Sequence, residues 1–345
     1  MTTTFTYTHN DPANRLGLDY ASEARKLPWH SAIADAHVHI HGLASAKLLL
    51  SVADMFGIDR LWVQAPLEDI DMLRAEFGNR LEFVAIPNYS ARIKEDTFTT
   101  DWLRRIEAFA EKGVRICKFW AAPRAIDFHP ALSLDNPIRR QGMKLAREAG
   151  MMFMTHVADP DTWFATQYRD SSRYGLKADH YRPLERLLEE YRDVPWLAAH
   201  MGGHPEDLNH LQHLLDAHPN LHLDTSAAKW MIRELSRRPD EFRAFCQRNP
   251  GRILFGTDIV ASPEQHSFNL YASRYWSLRT LMETTYRGPS PIVDPDLHAV
   301  DPAMPRDATA ELRGAHLDPT TLYALYQTAS RELLEKAYAS PKKSH

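Results

Sequence analysis

Apolar residues gather along this chain in short runs at regular intervals: Ile33 to Ile40, Arg60 to Ala65, Leu81 to Ile86, Val114 to Trp120, Met151 to His156, Trp196 to His200, Leu221 to Asp224 and Ile253 to Gly256. Their length and spacing predict eight β-strands. Helix-like stretches separate them at Ala44 to Phe56, Leu67 to Phe77, Phe98 to Glu111, Pro137 to Ala149, Pro183 to Tyr191, Pro205 to Ala217 and Pro239 to Gln247. An eighth helix is expected over Pro319 to Ala337. There Asp318 stands at the N-cap, proline takes the first helical position, and Leu322, Leu325, Tyr326, Leu333 and Leu334 recur at helical spacing. Alternation of this kind predicts an α/β chain folded as a (β/α)8 TIM barrel. No repeat, low-complexity tract or composition shift marks a boundary. One domain over residues 1–345 is therefore expected, with residues 1–30 as an N-terminal lead-in.

Two connections are too long to be simple links, and in such a barrel the loops after the strands carry the chemistry. Residues 157–182, after strand five, hold Trp163, Phe164, Tyr168, Arg169, Arg173, Tyr174, Lys177, His180 and Tyr181. Residues 259–317, after strand eight, hold Tyr271, Arg274, Tyr275 and Trp276 and then a proline-rich stretch. Both follow strands that end in metal-compatible side chains, so both are expected to wall a substrate pocket. The aromatics Tyr271, Tyr275 and Trp276 suit a homodimer interface equally well.

Composition narrows the partners. Apolar and charged fractions of 44% and 25% match an average soluble protein, and a net charge of −4 offers no electrostatic attraction to nucleic acid or an anionic membrane. No segment reaches the roughly 18 uninterrupted apolar residues of a membrane span, and the first thirty residues hold no apolar core of signal-peptide length. Cys117 and Cys246 match no zinc-ribbon or redox spacing and read as buried thiols. A cytoplasmic protein acting on a small molecule is the expectation.

The candidate chemistry sits at the strand ends. In Asp35-Ala36-His37-Val38-His39, alternation along a strand turns His37 and His39 to the same face, where they can hold one ion together. Either imidazole alone could be satisfied by backbone partners. Their company changes the reading: His156 ends the fifth apolar run, His200 the sixth, and Asp258 follows the eighth. A buried carboxylate must be paired, hydrogen-bonded or metal-bound.

As a set, these residues resemble the metal-dependent amidohydrolase superfamily, and within it the amidohydrolase-related branch that also contains aminocarboxymuconate-semialdehyde decarboxylase and related aromatic-acid decarboxylases. The resemblance covers essentially the whole barrel. Its motif, His-x-His on strand one, histidines ending strands five and six and aspartate ending strand eight, falls in order on His37, His39, His156, His200 and Asp258. Asp224, before Thr225 and Ser226, resembles a strand-seven pattern of the branch and reads as a turn or supporting residue. Thr328-Ala329-Ser330 departs from the branch's asparagine-bearing motif.

The resemblance implies that His37, His39, His156 and Asp258 hold the metal, and that Asp258 and His200 are catalytic. Three imidazoles and a carboxylate suit Zn²⁺ and tolerate Mn²⁺, Fe²⁺ or Co²⁺. Lys118, on strand four, stands where binuclear members carry a carboxylated lysine between two ions; here one ion is favoured, and Lys118 or His200 is left for a second metal or a substrate anion. Trp120, Arg124, Trp163 and Tyr168 are expected to contact substrate. Hydrolysis of an amide, ester or lactone carbon of a small acid-like substrate by metal-activated water is the first expectation. Non-oxidative decarboxylation of an unsaturated or aromatic acid is the alternative, followed by a metal-free lactonase. A scaffold protein would be expected to have lost ligands, whereas all five strand-end positions are filled.

Overall fold

The computed structural model describes residues 9–89 and 96–339. The first eight residues of the expected lead-in lie outside the described residues. Eight parallel strands follow one another around a single sheet: β1 (Ile33–Ile40), β2 (Ile58–Gln64), β3 (Leu81–Ala85), β4 (Ile116–Trp120), β5 (Met152–His156), β6 (Trp196–Ala198), β7 (Leu221–Asp224) and β8 (Ile253–Leu254). β8 pairs with β7. A ninth strand, β9 (Ile259–Ala261), continues the same stretch of chain and pairs with β1 instead. Residues 255–258 between them carry no ladder, but Ala36 N–H donates to the Phe255 carbonyl at 2.8 Å and Asp258 N–H to the His37 carbonyl at 2.8 Å. The arrangement fits the expected (β/α)8 barrel, with its last strand broken where Gly256, Thr257 and Asp258 turn toward β1.

Helices cover the sheet as the apolar spacing requires. Pro137–Glu148 begins with Asn136 accepting from Ile138 N–H at 3.0 Å, a capped start with proline at its first position. The helix expected from Pro183 begins six residues earlier and runs Lys177–Glu190, its entry held by Asp179, which accepts from Leu176 N–H at 2.8 Å. A helix over Ala228–Leu235, not expected from the sequence, follows β7 directly.

Two expectations are corrected by packing. The outer position after the last strand belongs to the helix Phe268–Glu283, which lies against Leu43–Met55, Ala228–Leu235 and the short helix Tyr20–Ala24. Tyr271, Tyr275 and Trp276 are buried inside the chain, so they neither form a lid nor offer themselves to a partner. Beyond it, Arg287–Val293 and Thr309–Arg313 pair as an antiparallel ribbon. The helical segment Pro319 to Ala339, with π-type turns over Ala324–Thr328 and Ser330–Glu335, is not the eighth outer helix. It plugs the barrel instead: Ala329, Leu333 and Leu334 join Ala34, Trp62, Ile116, Met152, Leu197 and Leu254 in one interior cluster. Gln327 donates to the Ala32 carbonyl at 2.7 Å, just before β1, which places the plug at the amino ends of the strands. Leu334→Ala is expected to cost about 2–5 kcal/mol, since the cavity opens inside a ring of strands that cannot collapse onto it. A urea midpoint within error of the parent would show that the plug is not part of the core.

Candidate metal centre

At the opposite end of the barrel the strand-end side chains meet. Backbone geometry is unusual there. Of five non-glycine residues with positive φ among those described, His200 (58°), Met201 (51°), Ala227 (66°) and Asp258 (57°) directly follow β6, β7 and β8. Left-handed backbone costs roughly 1–2 kcal/mol per residue away from glycine, so the strain is gathered where the side chains must be aimed. Gly203 extends the same turn at φ 75°, and a Cβ there would lie 2.0 Å from the Ala158 carbonyl oxygen; the loops after β5 and β6 approach this closely only through glycine.

Asp224 organises the floor. Its side chain is fully buried, and one oxygen accepts from His37 Nδ1 at 2.9 Å. The other accepts from His200 N–H at 2.8 Å, from Ser226 N–H at 3.1 Å and from the Ser226 hydroxyl. Burial opposes its charge, but the imidazoles of His37 and His200 and the Ser226 hydroxyl hold the carboxyl well below the usual carboxylate range. The consequence is a choice of tautomer. A carboxylate can only accept, so His37 carries its proton on Nδ1 and turns the lone pair of Nε2 into the site. Ser226 Oγ gives its proton to Asp224 and accepts from His200 Nδ1 at 2.7 Å, which leaves His200 Nε2 with a lone pair as well. A second buried carboxylate, Asp35, secures the strand below by accepting from His37 N–H at 3.1 Å and from the Thr257 hydroxyl at 2.7 Å.

Around this floor, His37, His39 and Asp258 converge, with their ligating atoms mutually within 4.8 Å. Asp258 Oδ1 lies 3.1 Å from His39 Nε2 and 3.4 Å from His37 Nε2. Donors bound at about 2.1 Å with angles between octahedral and tetrahedral sit about 3.0–3.4 Å apart, so the spacing suits a divalent ion as it stands. Burial drops the His39 imidazole to about 4, leaving it neutral at neutral pH. Burial raises the Asp258 carboxyl, yet the His200 imidazole, the hydrogen bond with His39 and the neighbouring His37 imidazole keep it well below its ordinary range and therefore ionised.

His156, expected in the same ligand set, faces the cavity but stands outside that three-residue cluster. Its Nε2 donates to Asp159 at 2.7 Å, and Asp159 in turn accepts from the Tyr168 hydroxyl. This leaves Nδ1 as the nitrogen with a free lone pair, oriented by a carboxylate behind it. His200 packs edge-to-face on His156 with centroids 4.4 Å apart and stacks on His37 at 5.0 Å. His200 also shares a second group of potential ligands with His37 and Asp224. Lys118 is buried, and its amine donates to His37 Nε2 at 2.8 Å, on the lone pair an ion would take. Burial brings this ammonium down to about 8.

Above the cluster opens a cavity of about 570 Å³, within the ordinary range for a small-molecule site. Trp120 and Trp163 line it, together with Tyr89, Phe128 and Trp230. Two expected contacts are corrected. Tyr168 is buried behind the wall, bonded to Asp159, and Arg124 is exposed with its guanidinium 5.9 Å from the Phe128 ring centroid; neither lines the cavity. Arg115, Arg169, Arg173 and Lys177 also stay outside it. Arg115 donates to backbone carbonyls below β4, Arg169 to Ala165 O, and Arg173 and Lys177 pair with Asp127 and Asp161. The cations that do line the cavity, beside Lys118, are Lys229 and Arg274. Lys229 heads an unexpected helix and carries no signal in the sequence; Arg274 falls in the long segment expected to wall the pocket, but nothing there singles it out.

A sequence model of the amidohydrolase family matches residues 24–333. Among solved structures, the chain is similar to the 5-carboxyvanillate decarboxylase of Novosphingobium aromaticivorans complexed with manganese and 4-hydroxy-3-methoxy-5-nitrobenzoic acid, at 13% identity and a TM-score of 0.42, over 88% of this chain and 95% of that one. It is similar also to an amidohydrolase 2 from Bifidobacterium longum subsp. infantis, at 11% identity and a TM-score of 0.28, over 71% and 98% of the two chains. No curated protein matches the chain in sequence. No helix among the described residues is long and apolar enough to cross a membrane.

Proposed function

The chain belongs to the amidohydrolase family, and on that footing we propose that it is a divalent-metal-dependent enzyme acting on the carboxyl or carbonyl carbon of a small planar organic acid. The observation that carries the reading is the joining, in one cavity, of the His37–His39–Asp258 cluster with a wall of Tyr89, Trp120, Phe128, Trp163 and Trp230. Such walls accept flat, largely apolar molecules and exclude water from them.

His37 and His39 would hold the ion through Nε2, Asp258 through a carboxylate oxygen and His156 through Nδ1. Nitrogen-rich ligation of this kind favours zinc and tolerates manganese, iron or cobalt. A divalent ion there supplies a Lewis acid for a substrate oxygen and, where water is the nucleophile, lowers its pKa from about 15.7 to about 7. We place non-oxidative decarboxylation ahead of hydrolysis, reversing the order taken from sequence, because an aromatic enclosure favours loss of a charged carboxylate as neutral CO₂. In that reaction the bond between the substrate carbon and its carboxyl breaks and the electron pair stays on carbon; Asp258, ionised at rest, would first take a proton from solvent, pass it to that carbon and end ionised again. His200, neutral and with Nε2 facing the cavity, would hydrogen-bond the reacting group. Hydrolysis stands as the second reading, supported by the ionised state of Asp258, which suits it to take a proton from water. The two buried free thiols, Cys117 and Cys246, support a reducing compartment.

Metal content by plasma mass spectrometry, on protein purified without chelator or affinity metal, is expected to give about one equivalent of zinc or manganese per chain. No metal, and none taken up on titration, would overturn the reading and leave a metal-free lactonase or a scaffold; about two would promote Lys118 to a carboxylated bridge. A panel of aromatic acids with their amides and lactones, incubated in D₂O and in ¹⁸O-water, then separates the reactions. Decarboxylation places deuterium on carbon and releases CO₂, whereas hydrolysis places ¹⁸O in the product acid.

A further inference from the structure

Three cations line the cavity, and they differ in how they are satisfied. Lys118 donates to His37 Nε2 at 2.8 Å. Lys229, at the head of the helix after β7, has no hydrogen bond or ion pair to any described residue, and Arg274, in the helix Phe268–Glu283, makes one hydrogen bond, from Nη1 to the Ser273 hydroxyl at 2.9 Å. No carboxylate among the described residues lies within 4.0 Å of either.

The acids nearby are already engaged. Asp296, on the cavity wall, accepts from Trp163 Nε1 at 2.9 Å and from Arg233 at 3.1 Å; Asp294 accepts from the same Arg233, and Asp11 accepts from Asn269 at 2.6 Å. Arg233 is therefore consumed by its own carboxylates, and the two remaining cations face the cavity with no carboxylate in direct contact, Asp294 and Asp296 reaching Lys229, and Asp11 and Asp258 reaching Arg274, only across space. Both are half-buried, and taking a charge even partly out of water without a bonded partner is costly, so a site that keeps two of them open suits an anion that arrives from outside. Burial lowers the ammonium of Lys229 and Arg274 adds to the effect, against the opposing pull of Asp294 and Asp296, so the two like charges lie within electrostatic reach of each other. Arg274 is drawn down to about 10 by its own burial and remains protonated at neutral pH.

We infer that Lys229 and Arg274 together anchor a carboxylate of the substrate at a position separate from the reacting carbon. The substrate would then be a planar acid whose anionic group is held by the helix after β7 and the helix Phe268–Glu283 while its reacting group meets the metal centre. This deepens the proposed function and rests on it only for which end reacts; the anchor itself uses none of His37, His39, His156 or Asp258.

Quenching of tryptophan fluorescence by 2-naphthoate and by its neutral isostere 2-naphthamide tests the anchor. The acid is expected to bind the protein as purified at least about tenfold more tightly than the amide. That preference should survive removal of metal by chelation. Lys229→Met and Arg274→Met should each lose most of it while binding the amide as before, which also reports that each variant is folded. Should Arg274→Met fail to fold, Lys229→Met and the parent protein carry the test. Equal affinity for acid and amide, no binding of the acid at millimolar concentration, a preference that disappears on chelation, or a folded variant that keeps the full preference would each overturn the proposal. Failure of the metal reading shows separately, as an empty metal analysis with the acid preference intact.

Discussion

Asp258→Asn is expected to lower kcat by about 10²–10⁴-fold at saturating metal, the usual worth of a positioned proton-transfer group. Asparagine is the substitution to choose because Asp258 sits at φ 57°, a left-handed conformation that asparagine tolerates better than other non-glycine residues. The backbone N–H that donates to His37 O at 2.8 Å is unaffected, so the break between β8 and β9 keeps its shape. What disappears is the ionised oxygen 3.1 Å from His39 and 3.4 Å from His37, and with it both a ligand and a proton carrier. Measuring kcat on the substrate found by the acid panel, with metal titrated to saturation and the urea midpoint recorded beside it, separates the two losses. A variant that binds metal and turns over within about threefold of the parent would show that Asp258 carries no proton in the reaction.

The strand-end residues were legible because the signal for them is local. A polar side chain closing an apolar run must be satisfied at one end of the barrel, and the structure brings His37, His39, His156, His200 and Asp258 to one cavity. How each nitrogen is engaged was not legible, since the tautomer of His37 depends on Asp224, 187 residues away. Periodicity also fell short where a helix is buried all round. Phe268–Glu283 spreads its polar residues around the helix and buries Ser273, Ser277, Arg279, Thr280 and Glu283 along with its aromatics, so no amphipathic face marked it and it read as loop or lid rather than as an outer helix packed on three neighbours. The stripe Leu325, Leu333 and Leu334 announced a packed face correctly but could not say whether that face meets the outside of the barrel or stops its floor. Lys229 escaped notice, and Arg274 was not singled out within its segment, for a related reason: a cation in sequence gives no hint of whether a carboxylate will reach it.

Asp224→Asn is the sharper test of how the centre is assembled, and it is expected to weaken metal binding by about 10–100-fold or more. The native carboxylate accepts four hydrogen bonds: from His37 Nδ1, from His200 N–H and from both the amide and the hydroxyl of Ser226. An asparagine has a single accepting oxygen. If it keeps that oxygen toward His200 N–H and Ser226, its NH₂ group faces His37 Nδ1 and forces that nitrogen to become the acceptor. The proton then moves to Nε2, the atom 2.8 Å from Lys118 and 3.4 Å from Asp258, and a protonated nitrogen has no lone pair for an ion. If the amide turns the other way, His200 N–H and Ser226 lose their acceptor inside a fully buried floor, and the cost appears as lost stability, about 1–3 kcal/mol for each unsatisfied group. Competition against a chelator of known affinity measures the first outcome, and urea unfolding of the metal-free protein measures the second. Nitrogen-15 spectra of the histidine rings read the tautomer itself, with Nδ1 protonated in the parent His37 and Nε2 protonated in the variant. A variant that keeps the parent's metal affinity, stability and ring tautomer would mean that Asp224 is a bystander, and that the direction of the His37 lone pair is set by the Lys118 amine at Nε2 and the Ser226 hydroxyl 3.0 Å from Nδ1.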